Sequence, residues 1–276
     1  MKLLKHAGVV FLIIIMGLLA VACGGKTEQP TSAPAEKKDE QAQSASAPEK
    51  KTYKVVMHAE FPPFEYLDPS GKPVGFEVDL INEMAKEMGW NIEIKNTSWD
   101  GVFEEIGSGK AELAISGITI KPDREKLYLF SEPYFQAKQL ILVPEGSPIK
   151  SLQDIKGHKV GVMTSTTGAL IVSDLLGKAN KDILQYDEMP SMVEDLYNKR
   201  VDVVVADNAF LMEHMKKNPK PGYVTIDDPN IPKENYGIMA NKKDTELIKQ
   251  VNEALKKVKD SGKYDEIYKK YFGEVK

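Results

Sequence analysis

Two segments carry residue types suited to binding a carboxylate. Residues 116–120, Ser-Gly-Ile-Thr-Ile, lead into Arg124, and residues 164–168, Thr-Ser-Thr-Thr-Gly, follow a predicted strand and open a predicted helix. An Arg beside a hydroxyl and free backbone N–H groups can hold a carboxylate through two hydrogen bonds. A helix N-terminus offers unpaired N–H groups and a positive dipole end to an anion. No Lys-Ser or Lys-Thr follows Gly168, so the second segment is not a phosphate loop.

Three further residues suit the remainder of a small zwitterion. Asp207 ends a predicted strand and could accept hydrogen bonds from an ammonium group. Phe61 and Trp99 lie on predicted turns, where an exposed aromatic ring is costly unless it covers something. Structural alternatives remain for single residues. Arg124 could be a solvated charge, Thr166 a helix N-cap, Trp99 a core residue, and Asp207 a cap for the helix that follows.

The elements that must position these residues alternate between short strands and amphipathic helices. The pattern predicts strands at 53–58, 91–95, 113–116, 159–163, 183–186, 201–206 and 235–240. It predicts helices at 81–88, 100–107, 167–177, 192–197, 209–217, 244–261 and 264–271. This order is typical of an α/β fold with parallel sheets and covering helices.

One pattern occurs twice. Residues 109–117 and 198–207 both read as a helix end, a basic turn, an acidic residue, an apolar strand and a small or polar tip. Ligands of open α/β sheets bind beyond the carboxyl ends of the strands. If the two halves face each other, the Ser116-Gly117 pair and Asp207 meet in one cleft. A chance match of two similar turns is the alternative.

The N-terminal segment carries the chain's single cysteine, Cys23. A basic start, an apolar run over 7–22 and small residues before Cys23 predict a secretory signal peptide over 1–22. The run is shorter than the roughly 20 residues of a membrane span, and Ala20–Cys23 resembles a bacterial lipobox. Residues 23–52 then comprise a lipidated Cys and a linker too poor in apolar residues to fold. We expect lipid anchoring at the outer face of the cytoplasmic membrane, at the cell surface or in the periplasm.

Composition excludes several classes of function. The formal net charge of −4 argues against a nucleic acid partner. A single Cys allows no intramolecular disulfide, and His and Cys do not cluster as zinc ligands do. We expect no metal, no cofactor and no catalytic residue, and we expect a monomer.

Together the motifs resemble family-3 solute-binding proteins of ABC transporters for polar amino acids. The matching segments are Phe61–Glu65, Gly75–Leu80, Ser116–Ile120 with Arg124, Phe130–Tyr134, Gly161–Met163, Thr166–Gly168, Asp202 with Asp207, Tyr236–Ile238 and 261–273. The resemblance implies a two-lobed periplasmic-binding-protein (type II) fold with a hinge and an interlobe cleft. Lobe 1 would comprise 53–139 and 236–276, and lobe 2 would comprise 140–235.

The resemblance also implies a set of ligand-binding residues. The set is His58, Glu60, Phe61, Trp99, Ser116, Gly117, Thr119, Arg124, Met163, Thr166, Thr167 and Asp207. Arg124, with the backbone at Thr119 and Thr167, would hold an α-carboxylate. Asp207, with the Ser116-Gly117 pair, would hold an α-ammonium group. Each buried charge of a zwitterion needs such a partner, because desolvation otherwise dominates.

The side-chain end of this implied pocket is less clearly defined. Phe61 and Trp99 would sandwich the side chain, and Met163 is apolar and adaptable. His58 stands where relatives that take basic amino acids or glutamine often carry Asp. A protonated His58 would repel a cationic side chain, which Glu60 could offset by taking the cationic head; a purely structural His58 is the alternative. We expect a polar or basic L-amino acid, with arginine, lysine, glutamine, histidine and cystine all open, delivered to a membrane permease.

Two other functions compete with transport. The same fold hosts a cyclohexadienyl dehydratase, for which Glu60 is the candidate pocket acid. No nucleophile motif accompanies it. A ligand-sensing module is the second alternative, and it would need a separate receptor.

Overall fold

The computed structural model describes residues 51–273. The predicted signal peptide, Cys23 and almost all of the predicted linker lie outside the described residues. Within them, every helix is too short or too polar to cross a membrane.

Strands and helices alternate through the described chain. The strands are β1 (Thr52–Met57), β2 (Glu60–Phe61), β3 (Glu65–Leu67), β4 (Pro73–Val74), β5 (Asn91–Asn96), β6 (Leu113–Ala114), β7 (Tyr128–Phe130), β8 (Phe135–Pro144), β9 (Val160–Met163), β10 (Ile183–Tyr186), β11 (Val203–Asp207), β12 (Tyr223–Ile226), β13 (Lys233–Tyr236) and β14 (Met239–Asn241). The helices are α1 (Phe76–Met88), α2 (Trp99–Ser108), α3 (Pro122–Glu125), α4 (Thr167–Leu176), α5 (Met189–Tyr197), α6 (Asn208–Lys217), α7 (Thr245–Asp260) and α8 (Lys263–Phe272), with a 3-10 turn at Leu152–Ile155.

The sheet of lobe 1 has five strands in the order β5-β1-β6-β14-β7. Alternation along β1 sends Val55 and Met57 into the core under α1 and α7, and Val56 into a smaller core under α2. Gly89 ends α1 in the left-handed conformation, at φ 67°, as its position predicts. Both faces of this sheet are therefore covered by helices.

The sheet of lobe 2 contains β10-β9-β11-β8-β12, and β13 pairs with β8. Its strands also alternate between two cores. Val203 and Val205 pack with α4, whereas Val204 and Ala206 belong to the core that includes residues of α5 and α6. The carboxyl end of β11 at Asp207 thus lies where α6 begins.

The prediction of parallel sheets was wrong in part. β1, β5 and β6 pair in parallel, as do β9, β10 and β11, but β14 and β8 each run antiparallel to their neighbours. The antiparallel strands belong to the segments that cross between the lobes.

Two paired segments make this crossing. β8 pairs with β13 through Phe135–Lys138 and with β11 and β12 further along, and the predicted lobe boundary at 139/140 falls within β8. The predicted single strand at 235–240 was wrong, because it divides into β13 and β14 around Gly237. A Cβ atom at Gly237 would lie 2.8 Å from the Ile120 side chain, so this residue permits a close approach. The lobe limits themselves remain a prediction.

Candidate functional site

One pocket collects every candidate residue. Its empty volume is about 460 Å³. It is lined by His58, Glu60, Phe61, Trp99, Ser116, Gly117, Thr119, Arg124, Met163, Thr166, Thr167 and Asp207, and also by Glu65 and Met189. Sequence reasoning missed the last two as site residues. Glu65 ends the quoted Phe61–Glu65 motif and could have been found there, whereas Met189 precedes the predicted helix and gave no signal. The two tips of the repeated pattern meet in this pocket.

Arg124 is buried and already oriented. Only 8% of the residue is exposed, so the solvated alternative is wrong. Its Nη1 donates to the backbone oxygen of Thr119 at 3.0 Å and its Nη2 to that of Ser165 at 3.3 Å. The guanidinium lies 5.6 Å from the Trp99 ring and 5.0 Å from that of Phe103. Burial lowers the pKa of Arg124 to about 10, so it stays cationic at neutral pH.

The helix start beside Arg124 is held by hydroxyl groups. Thr166 caps α4: its Oγ1 accepts from the Ala169 N–H at 3.3 Å and donates to the Met163 oxygen at 2.7 Å. The N-cap alternative for Thr166 is therefore what the structure shows, although the residue also lines the pocket. The first N–H groups of α4 have no acceptor within the helix. They would stabilise an anion bound at this helix start.

Glu234 contacts two pocket residues, and the sequence analysis did not identify it. Its Oε2 accepts hydrogen bonds from the hydroxyls of Thr119 and Thr167, both at 2.8 Å. Gln139 donates to the Thr167 hydroxyl at 3.1 Å. Glu234 lies on the crossing strand β13, so its carboxylate ties the Thr119 segment to the start of α4. A partner 67 residues from Thr167 leaves no local signal in the sequence.

Asp207 supplies the anionic side of the pocket. It is 6% exposed and occupies the N-cap position of α6, yet its side chain makes no cap hydrogen bond. The capping alternative is therefore wrong, and the carboxylate accepts instead from the hydroxyl of Tyr236. Burial, together with the nearby charge of Glu234, raises the pKa of Asp207 to about 6. A ligand cation would relieve this penalty.

Two buried carboxyl groups lie behind Ser116 and Gly117. Glu65 and Glu77 are fully buried neighbours, and burial raises the pKa of both, that of Glu65 most strongly because the charge of Glu77 adds to the effect. Glu77 accepts from the Tyr134 hydroxyl and, at 2.8 Å, from the Gly117 N–H. Glu65 accepts from the Ser116 hydroxyl at 2.7 Å. Two neighbouring buried carboxyls disfavour carrying two negative charges together, so the raised pKa values favour a proton shared within the pair.

Aromatic rings line the end of the pocket near β2. Phe61 is buried in β2, not on an exposed turn, and stacks on Phe64 with ring centroids 4.9 Å apart. Trp99 is half-buried and meets Phe103 edge to face at 5.0 Å. The Trp99 Nε1 is buried without a hydrogen-bond partner among the described residues. Trp99 thus serves the core and the pocket together.

His58, Glu60 and Met163 also line the pocket. His58 is 8% exposed, and its burial lowers the imidazole pKa while the charge of Glu60 opposes that shift. Glu60 is exposed and Met163 is buried. A neutral His58 does not repel a cation, so these residues fit a polar or cationic side chain.

Two lobes joined by paired crossing strands, with a buried cation and a buried anion in one pocket, define a ligand-binding protein of the cleft type. A sequence profile of the bacterial extracellular solute-binding proteins, family 3, matches residues 53–274, and the chain belongs to this family.

Individual proteins similar to this chain are named as amino acid-binding proteins, in agreement with the family. A probable histidine-binding protein of Neisseria gonorrhoeae is 43% identical over 225 residues, covering 81% of this chain and 84% of the relative. The solved arginine-, lysine-, histidine-binding protein of Geobacillus stearothermophilus is 43% identical with a TM-score of 0.78, covering 82% of this chain and 97% of that one. An ancestral amino acid-binding protein, a precursor of cyclohexadienyl dehydratase, is 33% identical with a TM-score of 0.72, covering 80% and 95%.

Proposed function

We propose that the protein captures a basic or polar L-amino acid outside the cytoplasm and delivers it to an ABC transporter permease. The observation that carries this is the joint burial of Arg124 and Asp207 in one pocket. A carboxylate at Arg124 and an ammonium group at Asp207 would each pair with a buried charge. Only a ligand with both groups satisfies the two residues together.

The side-chain end of the pocket supports a cationic or hydrogen-bonding head. Glu60 supplies a carboxylate, and the lowered pKa of His58 leaves its imidazole neutral at pH 7. The names of the relatives from Neisseria gonorrhoeae and Geobacillus stearothermophilus include histidine, arginine and lysine. We place these three amino acids ahead of glutamine and cystine.

Binding would draw the two lobes together. Arg124 and Thr119 belong to lobe 1, whereas Asp207 and the start of α4 at Thr167 belong to lobe 2. A ligand that contacts both sides gains affinity only when the cleft is closed, so it stabilises the closed state. A permease could then distinguish loaded from empty protein by its shape.

A ligand screen tests this proposal. The purified protein is heated with each L-amino acid and with cystine, and hits are titrated calorimetrically. A ligand at 100 times its dissociation constant adds about 2.7 kcal/mol of stability. We expect shifts with arginine, lysine or histidine and none with agmatine, which keeps the guanidinium of arginine but lacks its α-carboxylate. No shift with any amino acid, after ligand carried through purification is removed, would contradict the proposal.

The dehydratase alternative gains one observation. Glu60 was the acid expected in the pocket for such chemistry, but the carboxyl of Glu65, whose pKa burial raises, also lines it. The Ser116 hydroxyl donates to Glu65, so we assign Glu65 to positioning and the protein to binding without turnover. Incubation with prephenate and arogenate tests this assignment. Formation of product would show that the protein is a dehydratase.

The lipid anchor belongs to the same proposal. We expect Cys23 to carry the lipid and the folded part to act as a monomer. Cys23→Ala should release the protein from the membrane fraction, with unchanged ligand affinity and a monomeric mass in sedimentation. A variant that still partitions with membranes would show that the anchor is something else.

A further inference from the structure

A second group of polar side chains lies at the cleft. His58, Glu60 and Glu188 each place one donor atom within 4.8 Å of the other two. His58 follows β1 and Glu60 begins β2, both in lobe 1, whereas Glu188 precedes α5 in lobe 2. The sequence predicted no metal site because its His and Cys are not clustered. The fold brings together residues that are far apart in the chain.

Two of these three side chains lack a hydrogen-bond partner within the described residues. His58 is 8% exposed, and its imidazole makes no hydrogen bond or ion pair among the residues from 51 to 273. Glu188 occupies the N-cap position of α5 without a side-chain cap bond. Its Oε2 is buried and has no partner within the described chain. A buried imidazole and a Glu188 carboxylate oxygen thus lie within 4.8 Å of each other, and buried polar groups without partners are costly unless something satisfies them.

We propose that His58, Glu60 and Glu188 bind a divalent transition metal ion, for which Zn²⁺ is the best match. One imidazole nitrogen and two carboxylate oxygens are zinc donors, at about 2.0–2.2 Å from the metal. Two ligands of a tetrahedral Zn²⁺ lie roughly 3.3 Å apart, so the side chains need to move by about 1 Å or less. Mg²⁺ and Ca²⁺ prefer sites built from oxygen alone.

The site would act on the cleft in its own right. Because two ligands come from lobe 1 and one from lobe 2, the metal ties the lobes together whether or not an amino acid is present. His58 and Glu60 also line the main pocket, so the open fourth position of the metal lies beside the ligand. A bound cation there neutralises Glu60 and disfavours a cationic side chain.

Titration with Zn²⁺ alone tests the site. Calorimetry on the full-length chain, freed of amino acid and of metal, should show one saturable site. Glu188→Gln keeps the side-chain size and should weaken Zn²⁺ binding at least tenfold. Asp187→Asn is the matched control, since Asp187 is the adjacent exposed carboxylate along the same groove, and it should change the affinity less than twofold. Thermal melts of both variants would establish that they fold.

The opposite results are equally clear. No saturable binding of Zn²⁺, or equal binding by the parent and Glu188→Gln, would overturn the proposal. Equal binding of Mg²⁺ would show a nonspecific acidic surface and would also overturn it. The amino acid screen is run without metal, so failure of either proposal leaves the other standing.

Discussion

The guanidinium of Arg124 donates from Nη2 to the backbone oxygen of Ser165 across 3.3 Å. Arg124 belongs to lobe 1 and Ser165 directly precedes the N-cap of α4 in lobe 2. The cation that would receive a carboxylate therefore already reaches across the cleft. Arg offers five N–H donors. Within residues 51–273, backbone oxygens accept from Nη1 and Nη2, which leaves further donors for a ligand.

Arg124→Ala should weaken the binding of every α-amino acid ligand about 30- to 150-fold. The loss corresponds to about 2–3 kcal/mol for a charge-assisted contact in a buried site. Arg200→Ala is the control, because Arg200 is exposed, pairs with Asp195 at 2.8 Å and lies outside the pocket. Calorimetric titration measures both variants, and equal losses would refute the assignment of Arg124.

Asp207 should make the ligand-free protein more stable in mild acid. Its pKa is raised from the ordinary 3.8 to about 6, so the folded state disfavours the ionised carboxyl. The penalty is full above pH 6 and absent below pH 4, a gain of about 3 kcal/mol as the pH falls through that window. Urea unfolding of the parent and of Asp207→Asn between pH 4 and 7 measures the difference. If the free energy of unfolding of both proteins changed equally with pH, Asp207 would not be the group responsible.

Ligand affinity should show the opposite dependence on pH. The α-ammonium group pairs with ionised Asp207, so affinity falls as the pH drops below about 6. Asp207→Asn should bind weakly at every pH and with all α-amino acids alike. A loss confined to one ligand would mean that Asp207 contacts the side chain instead.

The sequence predicted the residues that line the pocket better than it predicted the residues that contact them from other elements. Arg124, Asp207 and Thr167 stand at the ends of strands or helices, where motifs and element boundaries coincide. Glu234 and Glu188 gave no such signal, because their partners lie on other elements and only the fold brings them together. Sequence motifs identify side chains that could contact a ligand. They do not identify the distant side chains that hold those residues in place.

The same limit applies to the fold. Helices with strong periodicity, such as α7, were predicted to within a few residues, and β10 was predicted at its observed bounds. Strand β8 was missed and the segment 235–240 was predicted as one strand. These segments pair in antiparallel fashion across the lobes, so their pattern depends on distant neighbours.

Glu65→Gln should be at least as stable as the parent at pH 7, because the unfolded parent ionises Glu65 there whereas the folded state disfavours that charge. The amide keeps an acceptor for the Ser116 hydroxyl. Glu65→Ala should lose about 2–4 kcal/mol, since it leaves buried polar groups unpaired. Because the pKa of Glu65 is raised in the folded state, the parent should lose stability as the pH rises above the ordinary value of 4.5, and Glu65→Gln should lose less.

Urea unfolding at pH 5, 7 and 9.5 checks this, with Glu87→Gln on the exposed face of α1 as the control. A large loss in Glu65→Gln at neutral pH would show that the site needs a charged Glu65.

Gly117→Ala should lower both stability and ligand affinity. Gly117 adopts φ +54°, and a Cβ atom there would lie 2.5 Å from the ring of Phe61, which would have to move. Gly109→Ala is matched, since Gly109 has φ +72° but its nearest contact is the Lys243 Nζ at 3.7 Å. The control should lose about 1 kcal/mol of stability and bind normally. Thermal melts and ligand titration compare the two variants. Equal losses of stability would mean that the Phe61 ring moves aside without cost.

The pairing of β13 with β8 has a mechanical consequence. The two crossing segments form one ribbon, in register from Lys233 opposite Lys138 to Tyr236 opposite Phe135. Sliding one strand along the other would break the ladder and reverse the side-chain faces, whereas flexing the ribbon keeps both. The ribbon therefore opposes sliding of one crossing strand along the other and permits bending, which a distance between the lobes would follow.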